Sequence, residues 1–136
     1  MQTDNPAAPA EQQKRILVVE EESAIVSILE RILQDLGYSV LTAASGEVAL
    51  QLLEEIQGQV VLIVIDVMMA LMNGKELARI VRGKYPDGSI KMLFMSGGDR
   101  QDLVAKGFLS PDAAFISKPF NVAHFRRCIQ EILDTT

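Results

Sequence analysis

Residues 60–74 read VVLIVIDVMMALMNG: six apolar residues, Val60 to Ile65, ending abruptly in a carboxylate, Asp66. A run this short and this rich in β-branched side chains fits a strand buried on both faces. An ionised carboxylate is costly to bury without partners, so Asp66 belongs at the strand's exit, where connections meet solvent.

Three other stretches repeat the pattern. Ile16-Leu17-Val18-Val19 runs into Glu20, Glu21 and Glu22, and Ile90 to Met95 (IKMLFM) runs into Ser96-Gly97-Gly98-Asp99. Ala113 to Ile116 is a brief strand closed by Ser117-Lys118-Pro119. Tyr38 to Thr42 (YSVLT) is weaker and partly alternating, as suits a sheet edge.

Helical spacing fills the intervals. Ser23 is placed to cap a helix with Ile25, Ile28, Leu29, Ile32, Leu33 and Leu36 inward and Gly37 as its stop. Ser45 starts a second, with Val48, Ala49, Leu52, Leu53 and Ile56 inward and Gly58 after it. Asn73 with Glu76 three residues on forms a capping-box pattern ahead of Leu77, Ile80 and Val81. Asp99 caps a short helix ending near Gly107, and Asn121 opens the last, with Val122, Phe125, Ile129, Ile132 and Leu133 as its stripe.

Five strands alternating with five helices specify an α/β domain with a parallel sheet. Right-handed crossovers, with the continuous apolar strands central and the weaker ones at the edges, select the doubly wound, flavodoxin-like order 2-1-3-4-5 with helices on both faces. Such sheets bind ligands beyond the carboxyl ends of the strands at the switch point, here between the first and third strands. Glu20, Glu21 and Asp66 meet at that rim, and the fourth and fifth strands bring Ser96 and Lys118 to it.

Composition bounds the rest. The chain has 136 residues, 13 basic against 18 acidic, for a net charge of −5, and carries no basic cluster, which argues against direct nucleic-acid binding. No apolar run approaches the roughly 20 residues of a membrane span, and no signal peptide precedes the domain, so the cytoplasm is the expected location. A single cysteine, Cys128, excludes an internal disulfide. Residues 1–13 (MQTDNPAAPAEQQ) have the composition of a disordered tail or linker, leaving 14–136 as the domain.

Carboxylates converging on one point repel one another unless a cation joins them, and hard oxygen donors suit Mg²⁺, which takes one or two carboxylates, several waters and a phosphate oxygen. A carboxylate in such a place can also act as a nucleophile toward phosphorus. Lys118 would neutralise a phosphate oxygen and the Ser96 hydroxyl would donate to another. Taken singly, the residues have plainer readings: Asp66 as a loop cap, Glu20 and Glu21 as first-turn acids favoured by the helix dipole, Ser96 as a turn residue, Lys118 as a surface lysine. Phe115 reads equally as a static core aromatic, His124 as a solvated residue and Cys128 as a small core hydrophobe.

Together the residues resemble the receiver domains of two-component response regulators. ILVVEEE is similar to the family's first strand and acidic pair, IDVMMALMNGKEL to its phosphoacceptor strand and loop, FMSGG to its switch hydroxyl, and AAFISKPF to its Lys-Pro signature. The resemblance implies that Asp66 is the phosphoacceptor and that Glu20, Glu21, Asp66 and the backbone carbonyl of Met68 hold Mg²⁺. It further implies that Ser96 and Lys118 contact the phosphate and that Phe115 is the aromatic switch. It implies, too, a histidine kinase or phosphotransfer protein as donor, and a change in the surface of the fourth helix, fifth strand and last helix. That surface would be read by a downstream protein or by a second copy in a homodimer. In this reading the domain is a signalling module and not an enzyme.

Two positions depart from the family pattern. Glu20 and Glu21 stand where two aspartates are usual, each one methylene longer, and Ala70 stands where proline is usual. The glutamate pair opens a rival reading, a degenerate receiver that docks without phosphorylation. A metal-dependent phosphohydrolase is disfavoured because Met68 occupies the place of a second aspartate two residues after the nucleophile. With no output domain expected after the last helix, the reading is of a stand-alone regulator or a receiver segment of a longer protein. Residues 96–120 look more like receivers attached to hybrid sensor kinases, for which the Pro/Ala-rich tail would be a linker.

Overall fold

The computed structural model describes residues 14–69 and 72–134. The expected tail at 1–13 and the departure at Ala70 therefore lie outside the described residues. In chain order the elements are β1 (Arg15–Val19), α1 (Ser23–Asp35), β2 (Ser39–Ala43), α2 (Gly46–Glu55) and β3 (Leu62–Asp66). They continue as α3 (Gly74–Lys84), β4 (Lys91–Ser96), α4 (Arg100–Ala105), β5 (Phe115–Ser117) and α5 (Val122–Asp134). The strands form one parallel sheet in the order β2-β1-β3-β4-β5, as the apolar runs require.

The alternation of strand side chains divides the core in two. Leu17, Val19, Ile63, Ile65 and Phe94 face α2, α3 and α4 and pack with Ala49, Leu53, Leu77, Ala78, Val81 and Leu103. Ile16, Val18, Leu62, Val64, Leu93, Met95 and Ile116 face α1 and α5, against Leu29, Ile32, Leu33, Phe125 and Ile129. Every residue of β3 is buried, which explains why its sequence lacks polar alternation.

Helix starts follow local chemistry with one correction. The side chains of Ser45, Asn73 and Asp99 accept from the N–H groups of Val48, Glu76 and Asp102, and Asn121 accepts from His124. Ser23, expected as a cap, is instead the first residue of α1; Glu22 is the N-cap and uses no side-chain bond. Its N–H is taken by the Glu20 carboxylate at 3.0 Å. Gly37 follows α1 at φ +100, the left-handed turn that favours glycine.

Three residues expected inward are exposed: Ile28, Val48 and Val122. The buried stripes of α1 and α2 centre on Leu29–Leu33 and Ala49–Leu53, so Ile28 and Val48, one residue earlier, are turned about 100° off each stripe. Val122 is the first residue of α5, ahead of the buried pair Phe125 and Ile129.

Candidate phosphoacceptor site

At the carboxyl ends of β1, β3, β4 and β5 the structure brings together Glu20, Asp66, Ser96 and Lys118. Each backbone is fixed by a ladder bond running one step past the strand. Glu20 N–H donates to Ala43 O at 3.0 Å, Val67 N–H to Met95 O at 2.9 Å, and Lys118 N–H to Ser96 O at 2.8 Å. The loop after Asp66 is closed by Gly74 N–H donating to Val67 O at 2.8 Å. A Cβ at Gly74 would come within 3.0 Å of both Asp66 O and Val67 Cα, so α3 can begin this close to β3 only at a glycine.

Glu20, Asp66 and Ser96 are the buried polar residues of the described chain. Asp66 Oδ1 accepts from the Met68 N–H at 3.1 Å, and Lys118 Nζ donates to Asp66 Oδ2 at 3.4 Å and, more closely, to Glu20 Oε1 at 2.8 Å. Two carboxylates thus share one ammonium. Burial, then the Glu20 charge, push the Asp66 carboxyl above its ordinary value against the opposing pull of Lys118 and the Met68 N–H. Burial alone would lower the Lys118 ammonium, but the Glu20 hydrogen bond and the Asp66 and Glu20 charges outweigh it, and the net shift is upward.

Ser96 Oγ accepts from the Gly98 N–H at 3.0 Å, while Gly97 leaves open space around its Cα. Phe115 pairs with Phe94 across β4 and β5 and is half-buried against the α2–α4 side of the core. Glu21 is exposed, and among the described residues no three Asp, Glu, His or Cys side chains gather closely enough to hold a metal. Of the expected carboxylates, Glu20 and Asp66 are brought together; Glu21 stands at the rim. Met68 is exposed and Met69 buried. His124 is exposed, and Cys128 is half-buried against the α1–α5 side of the core. The two carboxylates that share Lys118 fit what Mg²⁺ takes from a protein, one or two carboxylates with the remaining positions left to other oxygens, water and phosphate. Their shared excess of negative charge is what a cation would relieve.

One feature of the site had no counterpart in the motif reading. Ile25, Ile28, Pro119 and Phe120 line a shallow apolar cleft beside Lys118, with exposed Val122 next to Ile28 along the same α1–α5 surface. Phe120 is anchored there by stacking on buried Phe125, centroids 5.3 Å apart.

Comparison with known proteins agrees with this geometry. The family profile "Response regulator receiver domain" matches residues 16–130, and the chain belongs to that family. It is 40% identical over 121 residues to the sensor kinase CckA of Brucella abortus (strain 2308), covering 88% of this chain and 12% of that one. It is 37% identical over 124 residues to the transcriptional regulatory protein YvrH of Bacillus subtilis (strain 168), covering 85% of this chain and 50% of that one. The chain therefore spans half or less of these relatives' lengths. A solved receiver domain from the hybrid histidine kinase CckA superposes with a TM-score of 0.71 at 33% identity, over 88% of this chain and 98% of that one. Receiver domains are signalling modules that interact with histidine kinases or phosphotransfer proteins and generally bind Mg²⁺ at their acidic site. No helix among the described residues is long and apolar enough to cross a membrane.

Proposed function

We propose that the chain takes a phosphoryl group onto Asp66 from a phosphohistidine of a histidine kinase or phosphotransfer protein in the cytoplasm. The supporting observation is the pairing of a buried, strand-end carboxylate with Lys118 Nζ at 3.4 Å. An Asp66 oxygen attacks phosphorus, the P–N bond breaks, and the imidazole leaves with a proton from solvent, giving an acyl phosphate on Asp66. Glu20, Asp66 and the Met68 carbonyl would hold Mg²⁺, with Glu21 at the rim, and the bound ion would supply charge neutralisation for the phosphoryl oxygens. Lys118 takes one phosphoryl oxygen, and Ser96 exchanges the Gly98 N–H for another. Phosphorylation replaces the single charge of the Asp66 carboxylate with about −1.5 to −2 on the acyl phosphate at the carboxyl end of β3, beside the ends of β4 and β5, enough to bias two arrangements of the connecting loops. Phe115 would turn inward as Ser96 moves, changing the α4–β5–α5 surface read by a downstream protein or a second copy. The apolar cleft of Ile25, Ile28 and Phe120 beside Lys118 is the face we assign to the phosphodonor.

A second reading is favoured by one observation: Glu20 already holds Lys118 at 2.8 Å, closer than Asp66 does. In that reading the ion pair stands in for the metal and phosphate, and the domain docks without being phosphorylated. Incubation with Mg²⁺ and acetyl phosphate, followed by intact-mass measurement, separates the two. The phosphoacceptor reading expects one added phosphate, lost in Asp66→Asn. Uptake only after Glu20→Asp with Glu21→Asp supports the docking module. No uptake by either protein, beside an active receiver as control, ends the phosphoacceptor reading.

A further inference from the structure

On the opposite side of the sheet from the phosphodonor face, α3 and the α4–β5 connection enclose a cleft of about 260 Å³ that the phosphoacceptor chemistry does not use. Its floor is Ala78, Phe94 and Leu109, all buried, and half-buried Phe108 and Ser110 complete its far wall. That wall is preformed: Arg100 donates from Nη1 to Ala113 O at 2.9 Å and from Nη2 to Pro111 O at 2.7 Å, fixing the connection. The near wall is a row of exposed cations, Lys75, Arg79 and Arg82, at i, i+4 and i+7 along α3. None of the three enters an ion pair among the described residues, where the pairs are Lys106 with Asp102 and Lys118 with Glu20 and Asp66.

We infer that this cleft is a docking site for an acidic protein segment carrying one large apolar anchor residue. Charge complementarity makes the case: in a chain of net charge −5, three cations line one apolar-floored cleft and none of them enters an ion pair among the described residues. Their arrangement selects among anions. The row extends about 10 Å along the helix, so the charges are spaced for successive carboxylates of a peptide and do not converge on one phosphate. The cleft also falls below the roughly 300–1,000 Å³ of small-molecule pockets, while giving room for one anchoring side chain. Three cations are few for nucleic acid, whose binders make about 6–10 phosphate contacts. The inference is independent of the fate of Asp66.

The test is selection of a displayed random peptide library, about 12 residues long, on the full chain, counter-selected against Lys75→Glu with Arg79→Glu and Arg82→Glu. Expected are peptides with Asp or Glu flanking a Leu, Phe or Met. Their amide-shift footprint should cover α3 and Phe108–Ser110, and their affinity should fall as salt rises. Removing the three cations should weaken them about tenfold or more. Ser110→Trp, which fills the cleft without touching the cations, should abolish anchoring even if the charge-reversed protein folds poorly. No acid-rich consensus, a footprint elsewhere, or binding unchanged in both variants overturns the proposal. Single-stranded DNA of about 12 nucleotides binding the cleft as tightly as the best peptide also overturns it, in favour of a general polyanion site.

Discussion

Shortening Glu20 to aspartate measures how far the longer acid restrains Lys118. In the folded chain Glu20 Oε1 lies 2.8 Å from Lys118 Nζ and Asp66 Oδ2 lies 3.4 Å away. At an effective dielectric near 20 these separations correspond to about 6 and about 5 kcal/mol of gross Coulomb attraction. Removing one methylene withdraws the carboxylate by about 1.5 Å. At ~4.3 Å the attraction falls to about 4 kcal/mol. Part of that ~2 kcal/mol is offset because Lys118 closes on Asp66 and the freed carboxylate recovers water, leaving a bias of about 1 kcal/mol. Lys118 is then more available to a phosphoryl oxygen, and uptake should quicken about fivefold. The assay is an intact-mass time course with acetyl phosphate at Mg²⁺ concentrations saturating for each protein, so that metal affinity, titrated separately, does not enter the rate. The Lys118 side-chain nitrogen resonance should move with it. An equal or slower rate in Glu20→Asp, with that resonance unmoved, would refute the claim that Glu20 restrains the lysine.

Three further outcomes follow from the same geometry. The Lys118 ammonium is raised above its ordinary value of 10.5, so its contribution to stability is fully present below pH 10.5 and is lost as pH climbs through the folded value. Urea unfolding of the parent and Lys118→Met should converge only in that alkaline range; a constant difference across it would contradict the ion pair. Gly74→Ala forces a Cβ against the Asp66 and Val67 backbone and should cost about 1–3 kcal/mol in urea, with the Met68 and Val67 amide resonances shifted. Phe125→Ala empties the fully buried anchor under Phe120 and should cost about 3–5 kcal/mol, read as a lowered melting temperature; a loss below 1 kcal/mol would mean the α1–α5 side of the core repacks freely.

Periodicity and strand-end chemistry, read along the chain, determine most of this protein. Burial on both faces makes β3 a continuous apolar run, and a carboxylate is tolerable only where such a run ends; the same reasoning placed Glu20, Ser96 and Lys118. Right-handed crossovers then left the order β2-β1-β3-β4-β5, and the caps at Ser45, Asn73, Asp99 and Asn121 were legible because a side-chain acceptor must sit three residues before the N–H it satisfies. Other features depended on distances between residues far apart in sequence. Which of two carboxylates holds Lys118 is a matter of side-chain reach across three strand ends, and no spacing rule encodes that Glu20 wins at 2.8 Å. The outward turn of Ile28, Val48 and Val122 was hidden because apolar identity says a residue fits a stripe, while the angle at which each helix lies on the sheet decides where the stripe ends. The i, i+4, i+7 row of Lys75, Arg79 and Arg82 is visible in the sequence as a solvated face. Only the packing of α3 beside the Arg100-fixed connection turns it into the wall of an apolar cleft, because a concave surface is made by two elements and belongs to neither alone.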